Sequence, residues 1–229
     1  FSLIEIDRAI LTFSLGAEEC SRIEGEVLDL ARLKGSEGKT GIVKRFPVGM
    51  VLGITPWNFP VNLVAHTISP ALASSNVVMI KPSSNSMLSA IELGKLILKA
   101  CAENDINFIP VNVLTLSGAD MDKHISDKRI SMISFTGSSD IGWGLKKKAD
   151  RQKVSLELGG NAGVIVESDA DIKLAAAKIA MGGFAQAGQS CISVQRVYLN
   201  EKIYEEFRNM LIDETKKIKY GNPYEEDTI

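Results

Sequence analysis

The chain is poor in the residues on which most nucleophilic enzymes draw. Its 229 residues include two histidines, His66 and His124, so a cysteine–histidine or serine–histidine device has little to work with. There are three cysteines, Cys20, Cys101 and Cys191, and no C-x-x-C. That spacing offers neither a zinc site nor a disulfide framework, no metal is expected, and the pattern suits a reducing, cytoplasmic setting. No run of about 18 uninterrupted apolar residues exists to span a membrane; the most apolar stretch, 61–80, is broken by Asn62, His66, Ser69, Pro70, Ser74, Ser75 and Asn76. The start has no secretory-signal shape. An excess of one charge is also missing. The formal net charge is −2, and the basic run Lys146-Lys147-Lys148 reads as a solvated helix end, which gives no electrostatic case for nucleic acid. Internal repeats and low-complexity tracts are absent.

What remains is an ordinary globular composition, 45% hydrophobic and 24% charged, long enough for one large domain or two smaller ones. Apolar Leu3, Ile6, Ile10, Phe13 and Ala17 recur at helical spacing, and the helical reading extends over Ser2–Leu30. A polar turn at 35–40 precedes a half-wet strand over 41–46. Short apolar runs at 48–54, 76–80, 111–116, 130–135 and 154–158 read as strands, with helices over 87–101 and from 139 to about 148. A second set follows: strand 162–166, helix 172–186, strand 193–200 and helix 202–217. Strands alternating with amphipathic helices predict an α/β fold built on a mainly parallel, Rossmann-like sheet, and ligands bind such sheets at the carboxyl ends of the strands.

The chemistry-bearing residues fall at those ends. Pro56-Trp57-Asn58-Phe59-Pro60 is a loop fixed by two prolines; Asn58 either projects an amide donor, as an oxyanion hole needs, or satisfies its own turn. Lys81-Pro82-Ser83-Ser84 follows a strand, and its lysine is either a ligand contact or simply solvated. Thr136-Gly137-Ser138-Ser139 opens a helix whose amides can attract phosphate, although G-x-G-x-x-G is absent. Glu157, in Ser155-Leu156-Glu157-Leu158-Gly159-Gly160, sits in a strand that otherwise reads as buried. Cys191, in Gly188-Gln189-Ser190-Cys191, lies in a small, polar setting unlike that of a buried structural thiol. Cys101 fits the buried case. With so little histidine, a carboxylate is the available base for a thiol.

P-W-N-F-P, K-P-S-S, F-T-G-S-S-x-I-G, L-E-L-G-G and G-Q-S-C, in this order over about residues 46–223, resemble the aldehyde dehydrogenase superfamily, and among its branches the lactaldehyde and semialdehyde type. The resemblance implies a role for each matching position. Cys191 is the nucleophile that forms a thiohemiacetal and then a thioester. The Asn58 side chain and the Cys191 N–H form the oxyanion hole, and Glu157 is the base that activates water. Ile54, Thr55, Trp57, Lys81, Ser83, Ser84, Gly137, Ser138 and Leu158 become contacts for NAD or NADP. NAD-preferring relatives often carry a glutamate where Ser84 stands; without it a 2′-phosphate meets no repulsion, which favours NADP. The implied partners are a small aldehyde and further copies of the chain, as a homodimer or homotetramer.

The implied organisation is a helical part of the cofactor domain at 1–35, a strand of the oligomerisation hairpin at 36–47, the NAD(P)-binding domain at 48–158 and the first part of the catalytic domain at 159–229. Two positions depart from the family pattern: Gly163 stands where proline is common, and the helix after Gly118 looks short. The chain starts at Phe1 and stops after the turn-like Gly221-Asn222-Pro223, so it reads as a central segment, inactive in isolation, of a longer enzyme. The alternatives are a CoA-acylating relative and a non-catalytic, truncated dinucleotide-binding protein.

Overall fold

A computed structural model describes residues 2–225 and 228. Residues 1, 226, 227 and 229, which belong to the outer two of the four expected segments, lie outside the described residues. The chain divides into two compact units, Phe1–Glu157 and Leu158–Ile229, and each is described by itself.

The first unit opens with helix α1 (Ser2–Glu19). The expected helix to Leu30 is an over-extension: after a tight turn at Cys20–Arg22 the chain forms strand β1 (Glu26–Asp29), antiparallel to β2 (Thr40–Val43). The reason is local. A Cβ on Gly25 would fall 1.8 Å from the Val43 carbonyl oxygen, so glycine lets the two backbones meet, and the ladder takes over the hydrogen bonds that a helix would have used.

The core of this unit is a five-stranded sheet in which β3 (Met50–Ile54), β4 (Val77–Lys81), β5 (Val111–Val113), β6 (Ile130–Thr136) and β7 (Lys153–Glu157) lie in the order β5-β4-β3-β6-β7. Every pairing is parallel. The connections are α2 (Asn62–Ala73), α3 (Met87–Glu103), the five-residue α4 (Gly118–Asp122) and α5 (Ser139–Lys148). Val51, Val64, Ile68, Val78, Ile80 and Val111 form the main core cluster. At Gly53 a Cβ would sit 2.6 Å from both Thr67 Cγ2 and Ile80 Cδ1, so glycine sets how closely α2 packs on the sheet.

Helix α2 was not foreseen in the sequence, because polar residues and Pro70 interrupt it. Contacts with α1 explain why it forms. Glu5 Oε1 accepts the Val61 and Asn62 N–H groups at 2.6 and 2.9 Å, at the helix start. Thr12 Oγ1 donates to Asn62 Oδ1 at 3.3 Å, and the Ser69 hydroxyl donates to the Thr12 carbonyl at 2.8 Å. The polar residues are buried because α1 supplies their partners. Pro70, which offers no N–H to the His66 carbonyl, and His66 itself both lie on the exposed side of the helix.

The second unit is a βαβ arrangement: β8 (Ala162–Val166), α6 (Ile172–Phe184) and β9 (Val194–Leu199), with β8 and β9 parallel, followed by α7 (Tyr204–Lys216). Val166, Ala176, Ile179 and Phe207 form its core. Helix α6 begins on an Asp171 cap, whose carboxylate accepts the Leu174 N–H at 3.0 Å. It stops at Phe184, two residues before the expected end. Gly163, at the departure from the family pattern, faces its neighbour strand: a Cβ there would lie 3.3 Å from the Tyr198 ring. Among the described residues no helix is long and apolar enough to cross a membrane.

Candidate active site

In the first unit, strand order changes direction between β3 and β6, the switch point at which open parallel sheets bind ligands. The residues at the carboxyl edge there were named from sequence. Ile54 ends β3 opposite Lys81 at the end of β4. The Thr55 N–H donates to the Lys81 carbonyl at 3.2 Å. Thr55 is 4% exposed, and its hydroxyl has no hydrogen-bond partner. Lys81 is 8% exposed; burial alone pushes its ammonium below the ordinary lysine range, with no carboxylate to offset it. Ser83 Oγ accepts the Asn85 N–H at 3.3 Å and starts a short turn at Ser84–Ser86, with Ser84 exposed.

Across the switch point, the Gly137 N–H donates to the Glu157 carbonyl at 3.0 Å. A Cβ on Gly137 would lie 2.6 Å from Phe135 Cζ, so the buried ring leaves room only for glycine. Ser138 caps α5 by position, and its side chain makes no capping hydrogen bond. Trp57 is 41% exposed. Asn58 is half-buried, and its Oδ1 accepts the Phe59 N–H at 3.2 Å. Glu157 is exposed, and the buried reading of its strand is corrected: Lys153, Ser155 and Glu157 are exposed while Val154 and Leu156 are half-buried. β7 is an edge strand, paired only with β6 and packed on one face.

In the second unit, Leu158 is half-buried and Cys191 is exposed. A Cβ on Gly160 would meet the Cys191 carbonyl oxygen at 2.6 Å, so the double glycine admits the cysteine turn. That turn runs from Ser190 to Ser193 and is closed by the Ser193 N–H donating to the Ser190 carbonyl at 3.1 Å. Before it, Gln186, Ala187 and Gly188 have φ of 56°, 54° and 70°, a left-handed stretch that costs roughly 1 kcal/mol or more at each of the two non-glycine positions. Sequence reasoning missed this strain, which only Gly188 signals, and it missed Ser193, which is 3% exposed with its hydroxyl donating to the Gly183 carbonyl at 2.9 Å. Cys101 is buried as expected, whereas Cys20 is exposed.

Elsewhere in the first unit, a cleft of about 580 Å³ between Lys128, Ser131, Arg151 and Lys153 opens at the amino edge of the sheet, away from these residues. No cluster of His, Cys, Asp and Glu among the described residues could hold a metal ion.

The first unit is thus a Rossmann-like fold with a polar, glycine-lined carboxyl edge. The chain belongs to the aldehyde dehydrogenase family, whose pattern it matches over residues 1–229. It is 40% identical over 225 residues to a 3-sulfolactaldehyde dehydrogenase of Priestia megaterium, covering 98% of this chain and 46% of that one. It is 41% identical over 228 residues to a lactaldehyde dehydrogenase of Methanococcus aeolicus, covering 99% and 48%. Among solved structures, aldehyde dehydrogenase 21 of Physcomitrella patens, in complex with the reaction product succinate, superposes with a TM-score of 0.90 at 42% identity over 98% of this chain and 46% of that one. The glyceraldehyde-3-phosphate dehydrogenase GapN of Methanocaldococcus jannaschii, complexed with NADP, gives 0.91 at 39% identity over 98% and 48%. The chain spans about half the length of the curated relatives it matches.

Proposed function

We propose that the protein to which this chain belongs oxidises a small aldehyde to a carboxylic acid with NAD(P)+. The observation that carries this reading is the exposed Cys191, presented on a closed turn against Gly160, in a chain of this family. The Cys191 thiolate attacks the aldehyde carbon, forming a C–S bond and a thiohemiacetal oxyanion. The Asn58 amide and the Cys191 N–H donate to that oxyanion. The bound dinucleotide supplies the hydride acceptor, and oxidation leaves a thioester on Cys191. Glu157 takes a proton from water, the water attacks the thioester carbon, and the acid departs as the thiolate is restored.

The dinucleotide fits the residues present. The unpartnered Thr55 hydroxyl and the desolvated Lys81 ammonium offer donors to ribose or phosphate oxygens. Ile54, Trp57, Ser83 and Leu158 line the same cofactor, and Gly137 with Ser138 presents the start of α5 to the pyrophosphate. Ser84 puts no carboxylate beside Lys81, which supports NADP over NAD. The names of the relatives favour a short 2-hydroxyaldehyde as substrate. The domain reading stays as stated: cofactor-domain helix at 1–35, oligomerisation strand at 36–47, cofactor domain at 48–158 and catalytic segment at 159–229. The exposed apolar Val27, Ile42 and Phe46 on and beside the β1–β2 ribbon support assembly into a homodimer or homotetramer, and the thiol pattern supports a cytoplasmic setting.

The test is aldehyde-dependent formation of reduced cofactor by the full-length protein. Cys191→Ala should abolish it, and unchanged turnover in that variant overturns the proposal. Glu157→Gln should give one stoichiometric burst of reduced cofactor and then stall as the acyl-enzyme. Continued turnover dependent on added CoA identifies the acylating reaction instead. Cofactor binding with no turnover in the wild type identifies a non-catalytic binding protein.

A further inference from the structure

We infer that Ser193 is the positioning residue of the cysteine turn, a role that rests on the reading of Cys191 as nucleophile. Ser193 lies two residues after the thiol and is 3% exposed. Its two polar backbone and side-chain donors tie the turn at both ends. The N–H closes the turn on the Ser190 carbonyl at 3.1 Å, and the hydroxyl reaches the Gly183 carbonyl, in the last turn of α6, at 2.9 Å. Between those attachments runs the left-handed stretch Gln186-Ala187-Gly188, a conformation that persists only where the surroundings enforce it.

The packing around this clamp is tight on glycine. A Cβ on Gly182 would meet Val194 Cγ2 at 3.1 Å, and one on Gly188 would meet the same Gly183 carbonyl oxygen at 3.2 Å. The Ser193 hydroxyl contributes a side-chain hydrogen bond that joins the turn to α6. It therefore resists relaxation of the left-handed stretch, which would carry the Cys191 N–H and thiol away from their working positions. An oxyanion donor displaced by about 1 Å costs on the order of a hundredfold in rate.

The test uses the full-length protein with Ser193→Ala and Ser193→Thr. In Ser193→Ala, kcat per folded molecule should fall roughly tenfold to a hundredfold with KM changed by less than about twofold, because the loss is felt at the developing oxyanion rather than in substrate binding. Ser193→Thr, which keeps the hydroxyl, should stay within about threefold of wild type. Wild-type kcat in Ser193→Ala overturns the inference, and so does a Thr variant as slow as the Ala variant. Amide hydrogen exchange across residues 186–193 gives a readout independent of turnover: Ser193→Ala should exchange faster there and unchanged elsewhere in the unit. If the wild type oxidises no aldehyde, the reading of Cys191 as nucleophile fails. The clamp itself is then decided by exchange alone, and unchanged protection overturns it.

Discussion

Replacing Glu5 tests how helix α1 supports the loop that carries Asn58. Its carboxylate oxygen accepts two successive amides, Val61 at 2.6 Å and Asn62 at 2.9 Å, at the positive end of α2. Helix α2 begins directly after Trp57-Asn58-Phe59-Pro60, so the same oxygen fixes where the Asn58 loop ends. Hydrogen bonds to a charged group contribute about 1.5–3 kcal/mol, against about 0.5–1.5 for neutral ones. Because both bonds share one half-buried oxygen, Glu5→Ala should lower stability by about 2–3 kcal/mol, and Glu5→Gln, which keeps an acceptor but loses the charge, by about 1 kcal/mol. For a unit of this size the Ala variant should melt roughly 4–12 °C lower. Both tryptophans, Trp57 and Trp143, lie in the first unit, so urea unfolding followed by tryptophan fluorescence reports this unit alone. An Ala variant within about 0.5 kcal/mol of wild type, or a Gln variant as unstable as Ala, refutes the capping argument.

Gly160→Ala places a Cβ 2.6 Å from the Cys191 carbonyl oxygen; because a backbone atom must yield, aldehyde oxidation should drop at least about tenfold while the thiol stays open to alkylation. Lys81→Met removes an ammonium whose pKa burial lowers. The folded state gives up that proton more readily than the unfolded chain, so wild-type stability rises with pH towards the ordinary lysine range. The variant should be more stable at neutral pH, gain less on going alkaline and bind NADP more weakly, which urea titrations at two pH values and calorimetry would check. Asp127 is held well below the usual carboxylate range by its hydrogen bonds from Arg129. Its contribution is present above that range and lost as pH falls, so Asp127→Asn should flatten the acid limb of the stability profile, measured by urea midpoints from neutral pH downwards.

The parallel sheet was legible because each of its strands carries a short apolar run and α3 a clean apolar stripe. The carboxyl-edge residues were legible for the same reason: Thr55, Lys81 and Gly137 stand at or just past strand ends, where the alternation of elements puts them. Helix α2 was hidden because Asn62 and Ser69 look like surface residues until Thr12 of α1 is known to meet them, and Thr67 until it is known to pack on Gly53 of the sheet. The strand at Glu26–Asp29 was hidden because its hydrogen bonds belong to residues fourteen or so positions later. At the thiol, Cys191 announces itself by composition, whereas Ser193 and the strained Gln186-Ala187 pair do not. Their roles depend on the Gly183 carbonyl, a backbone atom that every residue type would supply.

A ligand held at the edge shared by Thr55 and Lys81 would couple its own supply to the lifetime of the chain. A buried hydroxyl without a partner costs about 1–3 kcal/mol, and Lys81 at the end of the neighbouring strand carries an ammonium that burial disfavours. A ligand that meets both adds stability to the whole first unit by mass action, about 2.7 kcal/mol when present at a hundred times its dissociation constant. Opening of the β3–β4 edge then becomes rarer by the same factor, and so does the cleavage by proteases that follows opening. Molecules made in a cell rich in such a ligand would outlast those made in a depleted one.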